Sequence, residues 1–127
     1  MGSTKSAEFS STLTTEQCLR TFRNAMDAVA SSGMRRLLGA LGNKIDYFTP
    51  TMGPEIALDY GGPPTGALGA NVPRIHGGAK GAAVPVRCAV WDGGGRRRVL
   101  VEVDIDLYSR GDGNKVLEAA RVAFAAS

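Results

Sequence analysis

The chain is short of the residues from which most small active sites are built. It has one histidine, His76, and two cysteines, Cys18 and Cys88, far apart in sequence. No set of ligands is therefore spaced for zinc, and no metal site is expected. In a reducing compartment the two cysteines read as small buried hydrophobes with free thiols. Neither G-x-S-x-G nor a Cys–His pairing by spacing is present, so acid–base work would fall to carboxylates or to Tyr47, Tyr60 and Tyr108, and nothing selects among them. The sequence leans to a non-enzyme, and no cofactor is expected. No run approaches the ~20 apolar residues of a membrane span. The opening "MGSTKSAEFS" lacks the apolar stretch of a secretory signal, so residues 1–6 read as a disordered tail and the cytoplasm as the default location. Aromatics are sparse, at four phenylalanines, three tyrosines and one tryptophan. The net charge of +3 is mild and mixed in sign. It permits contact with nucleic acid without calling for it.

What is present is an apolar fraction of 43 % in 127 residues, the size of one domain, here 7–127. Alternation of Phe9, Ser11 and Leu13 predicts a first strand over 7–13. Thr14 and Gln17 form a capping box at the head of a helix. Leu13 and Cys18 flank it as a staple, and Leu19, Phe22, Met26 and Val29 recur at helical spacing up to Gly33. Met34, Leu37, Leu38 and Leu41 predict a short second helix over 34–42. Segments 44–50 and 55–60 alternate like strands, the second with Ile56, Leu58 and Tyr60 on one face, and "TPTMGP" predicts a hairpin between them. Segments 84–91 and 96–108 are a second pair of strands. A tight turn on Gly93-Gly94 would oppose Asp92 to Gly95, Cys88 to Val99 and Trp91 to Arg96, the last a cation–π pair. The chain closes with an amphipathic helix that Asp112 or Asn114 would cap, with Val116, Leu117, Ala120, Ala123 and Phe124 as its apolar stripe.

The predicted class is thus α+β, an antiparallel sheet in the order β-α-α-β-β-(loop)-β-β-α with the C-terminal helix packed on it. From "FSSTLTTEQCLRTF" to "KVLEAARVAFAA" this order resembles a shortened helix-grip fold of the START-like or Bet v 1-like kind. The resemblance rests on the order of elements, with two strands fewer than is usual unless 70–78 supplies one. It implies a curved sheet gripping the last helix around a space for a small hydrophobic ligand or a partner segment. The residues expected to line that space are Phe22, Met26, Tyr47, Ile56, Leu58, Trp91, Val101, Val103 and Phe124.

Three further stretches carry chemistry. "GGPPTGALGANVPRIHGGAKGAA" (61–83) holds seven glycines and three prolines and matches no phosphate-binding motif. It reads as a mobile connection, or as a lid or docking loop offering Arg74 and His76 to a protein partner. In "EVDID", Glu102, Asp104 and Asp106 share one strand face, either as a solvated face or as an acid pair. Arg96, Arg97 and Arg98 sit at a hairpin tip, where they would contact solvent, an acidic partner or phosphate, although no aromatics are interleaved to stack on bases. An interaction module using 61–83 and the arginine tip is therefore the alternative to apolar-ligand binding.

Overall fold

The computed structural model describes residues 3–30, 45–52, 54–73, 83–106 and 110–125. The expected helix at 34–42, and Arg74, His76 and Tyr108, lie outside the described residues. The elements are β1 (Ser3–Ser11), α1 (Thr15–Ala30), β2 (Asp46–Phe48), α2 (Pro54–Asp59), β3 (Gly66–Pro73), β4 (Ala83–Asp92), β5 (Arg97–Ile105) and α3 (Arg110–Ala125). All five strands form one antiparallel sheet in the order β1-β5-β4-β3-β2. The class is α+β, and the C-terminal helix packs on the sheet.

The capping box forms as its spacing predicts. Thr14 Oγ1 accepts from the Gln17 amide at 3.1 Å, and Gln17 Oε1 accepts from the Thr14 amide at 3.0 Å. Phe22 and Met26 then point α1 onto the sheet, where both are fully buried. The opposing sheet face is lined by Val72, Val84, Val86, Cys88, Val90, Val99, Val101, Val103 and Ile105, and α3 adds Val116, Ala120 and Phe124 to the same cluster. Short branched side chains suit a sheet with both faces engaged, because they fill the pleat at low rotamer cost. Pro85 is tolerated in β4 because it lies beyond the stretch paired with β5, which begins at Val86.

Several expectations are overturned. Residues 3–6 are not a tail; they pair with Ile105 to Glu102 as the first half of β1, and the strand stops at Ser11 rather than at 13. Segment 55–60 is not a strand, so no hairpin joins it to 44–50. It is largely the helix α2, which turns Ile56 and Tyr60 to one side, and Leu58 is left 83 % exposed. Alternation over six residues is too short a sample to separate period 2 from period 3.6. The partner of β2 is instead β3, in the middle of what reads as slack at 61–83. Glycine there marks close approach rather than looseness. A Cβ at Gly66 would meet the Thr15 methyl at 2.8 Å, and one at Gly69 would enter the ring of Phe48 on its cross-strand partner. The β4–β5 register also differs by two residues: Cys88 opposes Val101, Val90 opposes Val99 and Trp91 opposes Arg98. The connection is four residues long, with Gly94 and Gly95 at φ 72° and 130°, and the Gly94 amide bonds Asp92 Oδ1. A two-residue slip returns every side chain to its own face, so polarity alternation cannot detect it. Finally, α3 begins at Arg110, which puts Asp112 and Asn114 inside the helix instead of at its cap.

Candidate functional site

The residues expected to line a ligand space do not converge. Phe22, Met26, Val101, Val103 and Phe124 lie between the sheet and the α1–α3 layer, all of them buried in the main core. Phe124 stacks on Phe9 with centroids 5.3 Å apart. Tyr47 sits at the edge of that core. Its hydroxyl donates to Asp27 Oδ1 at 2.7 Å and to the Arg23 carbonyl at 3.1 Å, while the Arg23 guanidinium covers its ring. Burial, then the bond to Asp27, pushes that hydroxyl well above the ordinary tyrosine range. The tyrosine is thus a strut between β2 and α1 and holds its proton.

Ile56 and Trp91 are on the opposite face of the sheet. There Trp91, Ala89 and Leu100 form a second small cluster under Met52, Ile56 and Tyr60. Tyr60 stacks on Trp91 at 4.3 Å, and Arg98 lies over Tyr60 at 4.2 Å. Arg98 also makes two hydrogen bonds to Glu8 Oε1, at 2.8 and 3.0 Å, and the Tyr60 hydroxyl donates to Glu8 Oε2. The Arg98 hydrogen bond holds the Glu8 carboxyl below its usual range. The expected Trp91–Arg96 pair is replaced by this Arg98–Tyr60–Trp91 stack, and Arg96 bonds Ser10 Oγ instead. Arg97 lies 3.7 Å from Asp92. All three tip arginines have partners within the chain.

Farther along the same face, Arg87 stands between Glu102 and Asp104. It contacts Asp104 at 2.7 and 3.0 Å and Glu102 at 3.5 Å. Thr4 donates to Asp104 Oδ1 at 2.9 Å. The Arg87 hydrogen bonds hold the Asp104 carboxyl below its usual range, against the upward push of desolvation. A catalytic acid needs the opposite shift, so this set behaves as a buttress. The alternation of "EVDID" locates these carboxylates on one face, but nothing in it identifies Arg87, two strands' width from β1, as their counter-ion.

Both cysteines are free and buried, and desolvation raises both thiols. Among the described residues no three His, Cys, Asp or Glu side chains come together to hold a metal, and no helix is long and apolar enough to cross a membrane.

Among the described residues, one feature with room for a ligand lies where the sequence does not point. On the solvent side of the helix layer, α1 and α3 leave a groove of about 840 Å³ lined by Thr21, Asn24, Ala25, Ala28, Val29, Asn114, Lys115, Glu118, Ala119, Val122 and Ala123. Its floor is apolar because four alanines stand where longer side chains would close the gap between the helices. Val122 is left 59 % exposed there. A one-helix reading of the sequence counts Ala123 in the apolar stripe of the last helix and gives Ala25, Ala28 and Ala119 no role; only the pairing of α1 with α3 puts the four together. Comparison with protein-family models, curated proteins and solved structures finds no match to this chain.

Proposed function

We propose that this protein is a small binding domain whose ligand lies in the groove between α1 and α3 and is largely apolar. The observation that carries this reading is the groove itself. Its volume falls within the ~300–1,000 Å³ typical of small-ligand sites, alanine and valine supply its apolar surface, and Thr21, Asn24, Asn114, Lys115 and Glu118 supply its polar groups. The space beneath the helices supports the reading less well, since Phe22, Met26, Val101 and Val103 are completely buried against one another. The ligand is therefore placed on the outer side of the helix layer rather than inside a helix grip. What favours kinship with the helix-grip proteins is the terminal helix lying on an antiparallel sheet.

A dye such as 1-anilinonaphthalene-8-sulfonate is expected to brighten with the folded chain and to be displaced by apolar ligands. Ala28→Trp, at an exposed position in the groove, should abolish the signal with an unchanged melting temperature. Dye binding that survives this substitution would place the site elsewhere.

The second reading, an interaction module at the arginine tip, is supported by three adjacent guanidinium groups. It is weakened by their engagement with Ser10, Asp92 and Glu8. Steeply salt-dependent retention on heparin would favour it.

A further inference from the structure

We infer that the groove is selective for a single-chain amphiphile with an anionic head, of which a medium-chain fatty acid is the simplest example, and that the head lies at the Asn114–Lys115 end. This rests on the groove being the binding site and adds the chemical class and the orientation of its ligand.

Orientation follows from the order of contacts. Lys5 meets Asn114 at 3.2 Å and Phe9 stacks on Phe124, so α3 runs alongside β1 in the same direction. Leu19 of α1 lies over Gly66, which shares a cross-strand row with Val90, Val99 and Phe9. Asp27 reaches Tyr47, in the row of Ala70, Val86, Val103 and Lys5. The helix α1 therefore runs opposite to α3, and Ala28 and Val29 face Asn114 and Lys115, whereas Thr21 faces Val122 and Ala123.

The two ends differ in charge. At the first, Lys115 lines the groove, and it has no ion-pair partner among the described residues. A second ammonium, Lys5 on β1, donates to Asn114 Oδ1 at 3.2 Å. The one acidic group in the lining, Glu118, is ion-paired with Arg121, whose Nε donates to it at 2.9 Å. Beyond Glu118 the lining is Ala25, Ala119, Val122 and Ala123, with Thr21 and Asn24 as neutral margins. The span from 114 to 123 is about 13 Å at ~1.5 Å per residue, within the reach of a medium alkyl chain. A cationic end followed by an alanine and valine trough is complementary to a carboxylate followed by an alkyl tail. A partner helix would leave Lys115 without a matching charge unless it carried an acid at that one position.

The test is calorimetric titration of the full chain with laurate and with dodecanol, both below their aggregation limits. Laurate is expected to bind about tenfold more tightly, a difference of about 1.4 kcal/mol. Lys115→Glu should remove that preference, weakening laurate binding by about tenfold relative to dodecanol. Methyl resonances of Ala28 and Ala119 should shift, and Trp91 fluorescence, on the far face of the sheet, should not. Equal binding of the two ligands, insensitive to Lys115→Glu, would overturn the anionic-head assignment while the groove remains a site. No binding of either, or a concentration-dependent dimer that occupies the same alanines, would overturn both readings.

Discussion

At the scale of single residues, the outer face of the sheet is organised around two arginines. Arg87 serves two carboxylates and Arg98 serves one carboxylate and an aromatic stack. Removing Arg87 leaves Glu102, whose side chain is only 13 % exposed, facing Asp104 without a counter-ion. Arg87→Gln is expected to destabilise the fold by about 1 kcal/mol near neutrality, the value for a charge-assisted bond reduced for partial exposure. The pH dependence has a definite sign. A carboxyl whose folded-state pKa is lowered, as that of Asp104 is, stabilises the fold above its unfolded value of about 3.9. That stability is lost as pH falls through the folded value. The difference in urea midpoint between wild type and Arg87→Gln should therefore be constant above about pH 5 and shrink below about pH 4. A difference that grows on acidification would contradict the assignment. The Arg98 stack makes a second, spectroscopic expectation: Tyr60→Ala uncovers Trp91 and should shift its emission to the red, whereas Tyr60→Phe should leave it in place.

At the scale of elements, the junction of α3 with β5 tests whether packing or helix propensity wins. Gly113 is buried in the first turns of α3, and a Cβ there would run into the Ile105 side chain. Alanine is preferred to glycine in a helix by about 1 kcal/mol, but overfilling a packed contact costs about 1–3 kcal/mol. Gly113→Ala is expected to lower stability on balance. Gly111, two residues earlier, has open space at its Cβ position, and Gly111→Ala should raise stability by about 0.5 kcal/mol. Thermal melts of the two variants moving in the same direction would show that α3 does not rest on β5 as described.

At the scale of the molecule, the sheet is engaged on both sides: α1 and α3 cover one face and α2 part of the other. Cys18, in the first turn of α1, and Cys88, at the centre of β4, belong to the same core cluster and are both fully buried. Cys88, held in the middle of the sheet, should react with a thiol reagent only through global opening, at a rate that follows the unfolding free energy. Cys18 should react faster, because fraying at the head of α1 suffices. Equal, rapid labelling of both thiols in the native state would be incompatible with this core.

Much of the architecture was legible in the residues themselves. The capping box at Thr14 and Gln17, the stripe of Phe22 and Met26, the alternation of Val99, Val101 and Val103 and the stripe of α3 depend on local chemistry and a repeat of 2 or 3.6, and a chain carries both in its own order. Class and terminal-helix packing follow from them. The tertiary structure decided what depends on who lies opposite. It made Gly66 and Gly69 strand residues, because a helix and a phenyl ring need their missing side chains. It chose one of two hairpin registers that alternation cannot tell apart, and turned Ile56 and Tyr60 into one side of a helix. It also brought alanines of two helices, far apart in the chain, into one groove. A cleft is a property of the distance between surfaces, and no single stretch of sequence contains that distance.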